Sequence, residues 1–246
     1  MLLLFFACQS PPAETPAAGP PVADAVETIS GEEGQTPAEV GVPVTPAVAL
    51  FDETVVHAVE ITLDDAGIRS LNRDGKTYVE ASLTMDGAEV GAVGLRLKGS
   101  SSWRDLNQKA GMKIDVNYFY DGTSYDGYTK INLNNMLNDE AQLHEMLAWS
   151  VFEAAGLPAQ HCAYAWVRVN GEDYGLYLLL ELPDQEAWLD RTYGGHDGRV
   201  YEGGYPYYPE SWDHADFSVR EAGYFQLEAG EDVANSDVMA DRKSVV

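Results

Sequence analysis

The chain predicts an α+β domain, a mainly antiparallel sheet carrying packed helices, and three observations lead there. Apolar residues alternate with polar ones over several short runs. Asp-Gly and Asn-Gly pairs punctuate those runs where tight hairpins would turn. One later stretch switches to a three- and four-residue apolar period. Val55 to Leu63 reads as the opening strand, and Asp64-Asp65 supplies an N-cap for a short helix bearing Ile68 and Leu71. Tyr78 to Met85 and Glu89 to Leu97 flank Asp86-Gly87, whose residues tolerate the positive φ of a two-residue hairpin turn. Met112 to Val116 and Thr129 to Leu133 extend the same sheet across a loop holding Asp121-Gly122 and Asp126-Gly127. Asn138-Asp139 caps the clearest helix, with Leu143, Met146, Leu147, Val151 and Ala154 on a face expected to pack on the sheet. Gly156 and Pro158 stop it. Ala163 to Val169 and Leu176 to Glu181 meet at Asn170-Gly171, and Pro183 opens a last helix through about Arg191.

The 246 residues carry 15 Lys+Arg against 40 Asp+Glu, a formal net charge of -25. That sign argues against nucleic acid as a partner, because sequence-independent affinity comes from cations displacing counterions from phosphates. Cys8 and Cys162 are the only cysteines, so a disulfide framework is excluded, and their setting has no structural-zinc spacing. Cys162 enters an apolar-aromatic strand and reads as a buried small hydrophobe.

Three zones are expected. Residues 1–8 read as the remnant of a signal peptide, with Ala7-Cys8 similar to a bacterial lipobox and Cys8 as the lipidation site. Residues 9–49 are rich in Pro, Ala and Glu and contain no aromatic residue, so they read as a disordered tether. Residues 50–246 form the folded domain, expected to be truncated at its C-terminus. Residues 1–68 hold eleven acids and no Lys or Arg, leaving fifteen bases against twenty-nine acids in the rest.

Within that acidic protein, Arg96, Lys98, Arg104, Lys109 and Lys113 fall within eighteen positions. They surround Gly99-Ser100-Ser101-Ser102-Trp103, whose small residues let backbone N–H groups and hydroxyls approach an anion. The combination suggests a phosphate cradle, with solvated strand lysines as the plainer alternative.

Leu97-Lys98-Gly99-Ser100-Ser101-Ser102-Trp103 resembles the R/K-G-N-S-S-W loop of the CotH family, bacterial spore-coat and envelope proteins that are atypical protein kinases. Lys109 to Ile114 stands where that family has K-K-S-Y-R/K-L, with Ala110 and Gly111 departing from its second lysine and its serine. Leu133-Asn134-Asn135 matches its L-N-A/N element. The stretch from Val167-Arg168-Val169-Asn170-Gly171 through Tyr174-Gly175 to Glu181 is similar to its V-x-V-N-G and G-x-Y-x-L-x-E run, and Arg199 to Gly203 continues it.

The resemblance implies a kinase-like N-lobe with the start of a C-lobe, binding ATP with Mg²⁺ or Mn²⁺. It implies nucleotide contacts from Ser101, Ser102, Lys109 and Lys113, with Glu145 pairing one lysine and Glu181 at a hinge near the adenine. It also implies transfer to Ser or Thr of an exported or coat protein, by a lipoprotein held at the extracytoplasmic cell envelope. The family's Asn/Asp-rich catalytic segment and its P-W-D-x-D metal motif are not found before Val246, so the catalytic residues stay unassigned and a catalytically incomplete copy is expected. The alternative is a non-catalytic envelope scaffold using the aromatic stretch from Tyr201 to Trp212.

Overall fold

The computed structural model describes residues 5–7, 41–99, 102–203 and 225–230. Cys8 and Ser101 lie outside the described residues, as does most of the Tyr201 to Trp212 stretch. The strands in chain order are β1 (Phe5–Ala7), β2 (Pro43–Val44), β3 (Val56–Thr62), β4 (Val79–Met85), β5 (Ala88–Lys98), β6 (Gly111–Asp115), β7 (Ser124–Tyr125), β8 (Lys130–Asn134), β9 (Cys162–Val169), β10 (Glu172–Leu180), β11 (Arg199–Gly203) and β12 (Phe225–Ala229). The helices are α1 (Asp65–Arg73), α2 (His144–Ala154) and α3 (Glu186–Tyr193).

The predicted α+β class holds, and its main sheet closes on itself. Strands run β10-β8-β6-β5-β4-β3-β9 around a barrel, and β9 pairs back with β10. Each neighbouring pair is antiparallel except β3 with β9, which pair in parallel from Val56↔Tyr164 to Ile61↔Val169. Alternation decides what fills the barrel. Val59, Ile61, Leu83, Leu95, Leu97, Met112, Ile114, Leu133, Val167, Tyr177 and Leu179 are buried in one cluster. Arg96, Lys98, Lys113 and Lys130 alternate with these residues on β5, β6 and β8 and are half-buried on the outer face.

Turn chemistry follows the sequence closely. Asp86 and Gly87 take φ 51° and 79° between β4 and β5, and Asn170 and Gly171 take φ 52° and 78° between β9 and β10. Asn170 also closes the barrel: its Oδ1 accepts from Leu63 N at 2.7 Å and its Nδ2 donates to Leu63 O at 3.0 Å. Asp64 caps α1 by accepting from Gly67 N at 2.6 Å. A small second sheet, β1-β11-β12, is antiparallel throughout, and Val200 joins Trp188 and Leu189 of α3 in a second apolar cluster.

Three expectations need correction. The segment assigned to the tether includes β2, which pairs in parallel with β7. Pro183 precedes α3 in a turn, and the helix starts at Glu186. Helix α2 starts at His144, although Asp139 does cap it from a distance, its Oδ2 accepting from His144 N at 2.7 Å.

The face of α2 is also turned. Met146 and Trp149 pack against the cluster of Met136, Cys162, Leu178 and Leu180, while Leu143, Leu147 and Val151 are 47%, 57% and 68% exposed. The large Trp149 ring and Met146, three residues before it, share the sheet-facing side, and Leu147 and Val151, two residues to either side of Trp149, face outward.

Candidate functional site

The outer face of β5, β6 and β8 collects the basic side chains in register. Arg96 stands opposite Lys113, Lys98 opposite Gly111, and Lys113 in turn opposite Asn132. Gly111 matters here because a Cβ at that position would come 3.2 Å from Cγ of Lys98 and 3.1 Å from its carbonyl. The departure from the family's serine therefore gives room for the Lys98 stem. Ala110 is fully buried and its carbonyl accepts from the Tyr177 hydroxyl at 2.9 Å, so the family's second lysine has no counterpart in space either.

Burial pushes the Lys98 ammonium down to about 8, against an upward pull from Glu145, with Lys113 and Arg96 adding to the fall. Glu145 sits in the first turn of α2, where a carboxylate also complements the helix dipole. Burial raises its pKa, opposed by Lys98 and by the hydrogen bond that Asn134 Nδ2 donates to its Oε2 at 2.5 Å. Lys113 is likewise lowered by burial, with Asp184 and Glu228 acting to raise it and Lys130 and Arg96 to lower it.

A cleft of about 210 Å³ opens beside Glu145, lined by Ser102, Asn134, Asn135, Asp139 and His144 among others. Its rim is tied together by Asn135, whose Nδ2 donates to the carbonyls of Ser102 at 3.0 Å and Lys109 at 3.1 Å. Trp103 anchors the loop from below, in contact distance of Gly75, where a Cβ would meet the indole at 2.8 Å. Gly99 takes φ 123°, a conformation glycine adopts without cost.

The residues expected in the site are thus divided. Lys113, Glu145 and Ser102 belong to this face or its cleft. Lys109 adopts φ 60° and its ammonium lies 5.3 Å above the Tyr177 ring, a cation–π contact away from Glu145. Glu181 is fully buried and committed: Tyr128 Oη donates to Oε1 at 2.7 Å, His161 N to Oε2 at 2.9 Å, and Arg191 pairs with Oε2. Its backbone carbonyl accepts from Gln160, and its N–H donates to the His161 carbonyl at 2.9 Å. That network joins β10 to α3 and ties the Glu181 carboxylate to the protein's own donors. His144 is an exposed partner of Asp139.

Sequence reasoning passed over the electrostatic influence of Lys98 and Glu145 on one another, and Asn134 and Asn135 as the residues that bond the acid and the loop. The strand alternation Arg96-Leu97-Lys98 and two consecutive asparagines ending β8 were the available signals. Cys162 is buried, and burial pushes its thiol up to about 12, so it is a packing residue.

The main sheet is thus a closed barrel whose outer face carries Arg96, Lys98 and Lys113 in register, with Glu145 on the adjoining helix. A family model described as "CotH kinase protein" matches residues 95–241, well over half of the chain, and the protein belongs to that family. No curated protein matches the chain. The matched span begins on β5 at Leu95, one residue before the basic face. Kinases in general use a nucleotide and a divalent metal. The lysines fit the nucleotide's phosphates by charge and placement, whereas among the described residues no three His, Cys, Asp or Glu side chains gather to hold a metal ion.

Proposed function

We propose that the face formed by Arg96, Lys98 and Lys113 receives the phosphates of ATP, with Glu145 holding the Lys98 ammonium in position. The observation that carries this is the register of the outer face: Arg96 stands opposite Lys113 and Lys98 lies two residues further along β5, so three cations share one side of β5 and β6. Burial draws the half-buried Lys98 ammonium down to about 8, against the pull of Glu145 on the adjoining helix. Two lysines and an arginine would offset much of the triphosphate charge, and charge neutralisation with positioning is what phosphoryl transfer asks of a protein. Ser102 and the Gly99 loop would approach the same phosphates.

The family membership extends the proposal to phosphorylation of Ser or Thr on an exported or coat protein, and the lipobox-like Ala7-Cys8 extends it to anchoring at the extracytoplasmic envelope through lipid on Cys8. Calorimetry of the full chain with ATP, with and without Mg²⁺ or Mn²⁺, tests the site. Heat that disappears in Lys98→Ala and Lys113→Ala supports it; heat unchanged in both variants removes it. Release of Cys8→Ser from membranes supports anchoring, and continued retention counts against it.

A further inference from the structure

Strand β5 outruns its neighbour. Along one edge it pairs with β4 from Ala88 to Leu95, but along the other β6 reaches only from Gly94↔Asp115 to Lys98↔Gly111. Beyond Asp115 the chain turns away, and Tyr118 folds over Gly94, where a Cβ would meet its ring at 2.7 Å. Residues 88–93 therefore keep an edge with no strand partner among the described residues. A strand edge is a row of backbone donors and acceptors, and the group that satisfies it is another extended chain.

That edge does not face a flat surface. A groove of about 670 Å³ runs along Glu89, Val90, Gly91 and Ala92, with Gly41, Val42, Val44, Tyr120 and Thr123 forming its other wall. Backbone approach is unobstructed: Gly91 has no side chain and a Cβ there would meet nothing within 4 Å. The register shift between Leu83 and Thr84, with Gly91 at φ 100°, twists the edge, which discourages indiscriminate pairing of flat edges and favours one segment that follows the twist. Among the lining residues named, Glu89 alone is charged. Tyr118 and Phe119, 49% and 42% exposed with ring centroids 4.9 Å apart, stand at the end of the edge and offer apolar area for alternate side chains.

We propose that the open edge of β5 from Ala88 to Val93 takes up one extended segment of a protein partner as an added strand, with a lysine or arginine of that segment meeting Glu89. Six residues of strand span about 20 Å, long enough for backbone bonds to supply affinity while the Glu89 contact and the aromatic rings supply selectivity. The proposal does not depend on the nucleotide reading.

The test uses the full chain, labelled with ¹⁵N, and a capped heptapeptide of alternating valine and threonine with lysine at each end. Shifts of the amides from Glu89 to Val93, slowed exchange there, and loss of both with a twin peptide N-methylated at alternate amides would support strand addition. Glu89→Lys should weaken binding severalfold while leaving the fold intact, since Glu89 is exposed. Absence of shifts at these amides, or equal binding by the N-methylated twin, overturns the proposal. Protection of the same amides before any peptide is added also overturns it, because the edge is then filled by the protein itself.

Discussion

Glu145, in the first turn of α2, raises the pKa of Lys98 at the end of β5, and Lys98 lowers that of Glu145. Burial works the other way on both groups, so each is the other's main compensation. A pair balanced in this manner can be tuned by what approaches it, and an anion approaching Lys98 would hold the ammonium charged.

Anion affinity should therefore follow the Lys98 charge. The ammonium is charged below about 8, so ATP binding measured by calorimetry from about pH 6.5 to 9.5 should be strong at the acid end and fall as pH rises through 8. Glu145→Gln removes the upward pull, and the fall should move to lower pH. A binding curve flat across this range would remove Lys98 from the phosphate contacts.

The same lysine should cost the protein stability. Its folded pKa lies below the unfolded value of 10.5, so the unfolded chain binds more protons between about 8 and 10.5, and stability should rise with pH across that window. Lys98→Met keeps the stem and deletes the charge. The rise of stability between about pH 8 and 10.5 should disappear in this variant, and ATP binding should be lost. A slope that persists in Lys98→Met would assign it to another group.

The Glu181 network predicts a steep asymmetry. Arg191→Met leaves a fully buried carboxylate without its cation and should cost about 3–5 kcal/mol in urea denaturation. Tyr128→Phe removes one hydrogen bond to a charged group and should cost about 1.5–3 kcal/mol. Equal, small effects would mean that the network is not closed in solution.

Helix α2 offers a contrast on a single element. Leu147→Ser and Val151→Ser, on its exposed row, should change stability by less than about 0.5 kcal/mol. Trp149→Ala, on the packed side, should cost about 3–5 kcal/mol. Reversal of that order would place the helix the other way round.

Asn170 should resist replacement for two reasons at once. Asn170→Ala loses both hydrogen bonds to Leu63 and places alanine at φ 52°, so a loss of about 2–4 kcal/mol is expected in thermal denaturation. A loss below about 1 kcal/mol would show that the parallel β3 and β9 pairing does not rely on this clamp.

Much of this was legible residue by residue. The hairpins at Asp86-Gly87 and Asn170-Gly171, the Asp64 cap and the alternation Arg96-Leu97-Lys98 are local, because φ, capping and side-chain period are settled within a few positions. Long-range choices were not legible in the same way. The outward row of α2 was read as its packed face because a wide apolar pattern has no unique inward direction, and only Trp149 against Cys162 and Leu178 selects one. Glu181 carried a motif match, and yet its three donors arrive from Tyr128, His161 and Arg191, none of which spacing can bring together.

What the sequence determined by itself is the strands of the main sheet, their tight turns and the family, since each rests on neighbours in the chain or on an ordered run of motifs. Tertiary structure alone decided that the sheet closes, that β3 and β9 run parallel across about a hundred residues, and that Lys98 rather than Lys109 faces Glu145. Those outcomes depend on loop closure and on which buried charges can share a cleft, energies that belong to the packed chain and not to any stretch of it.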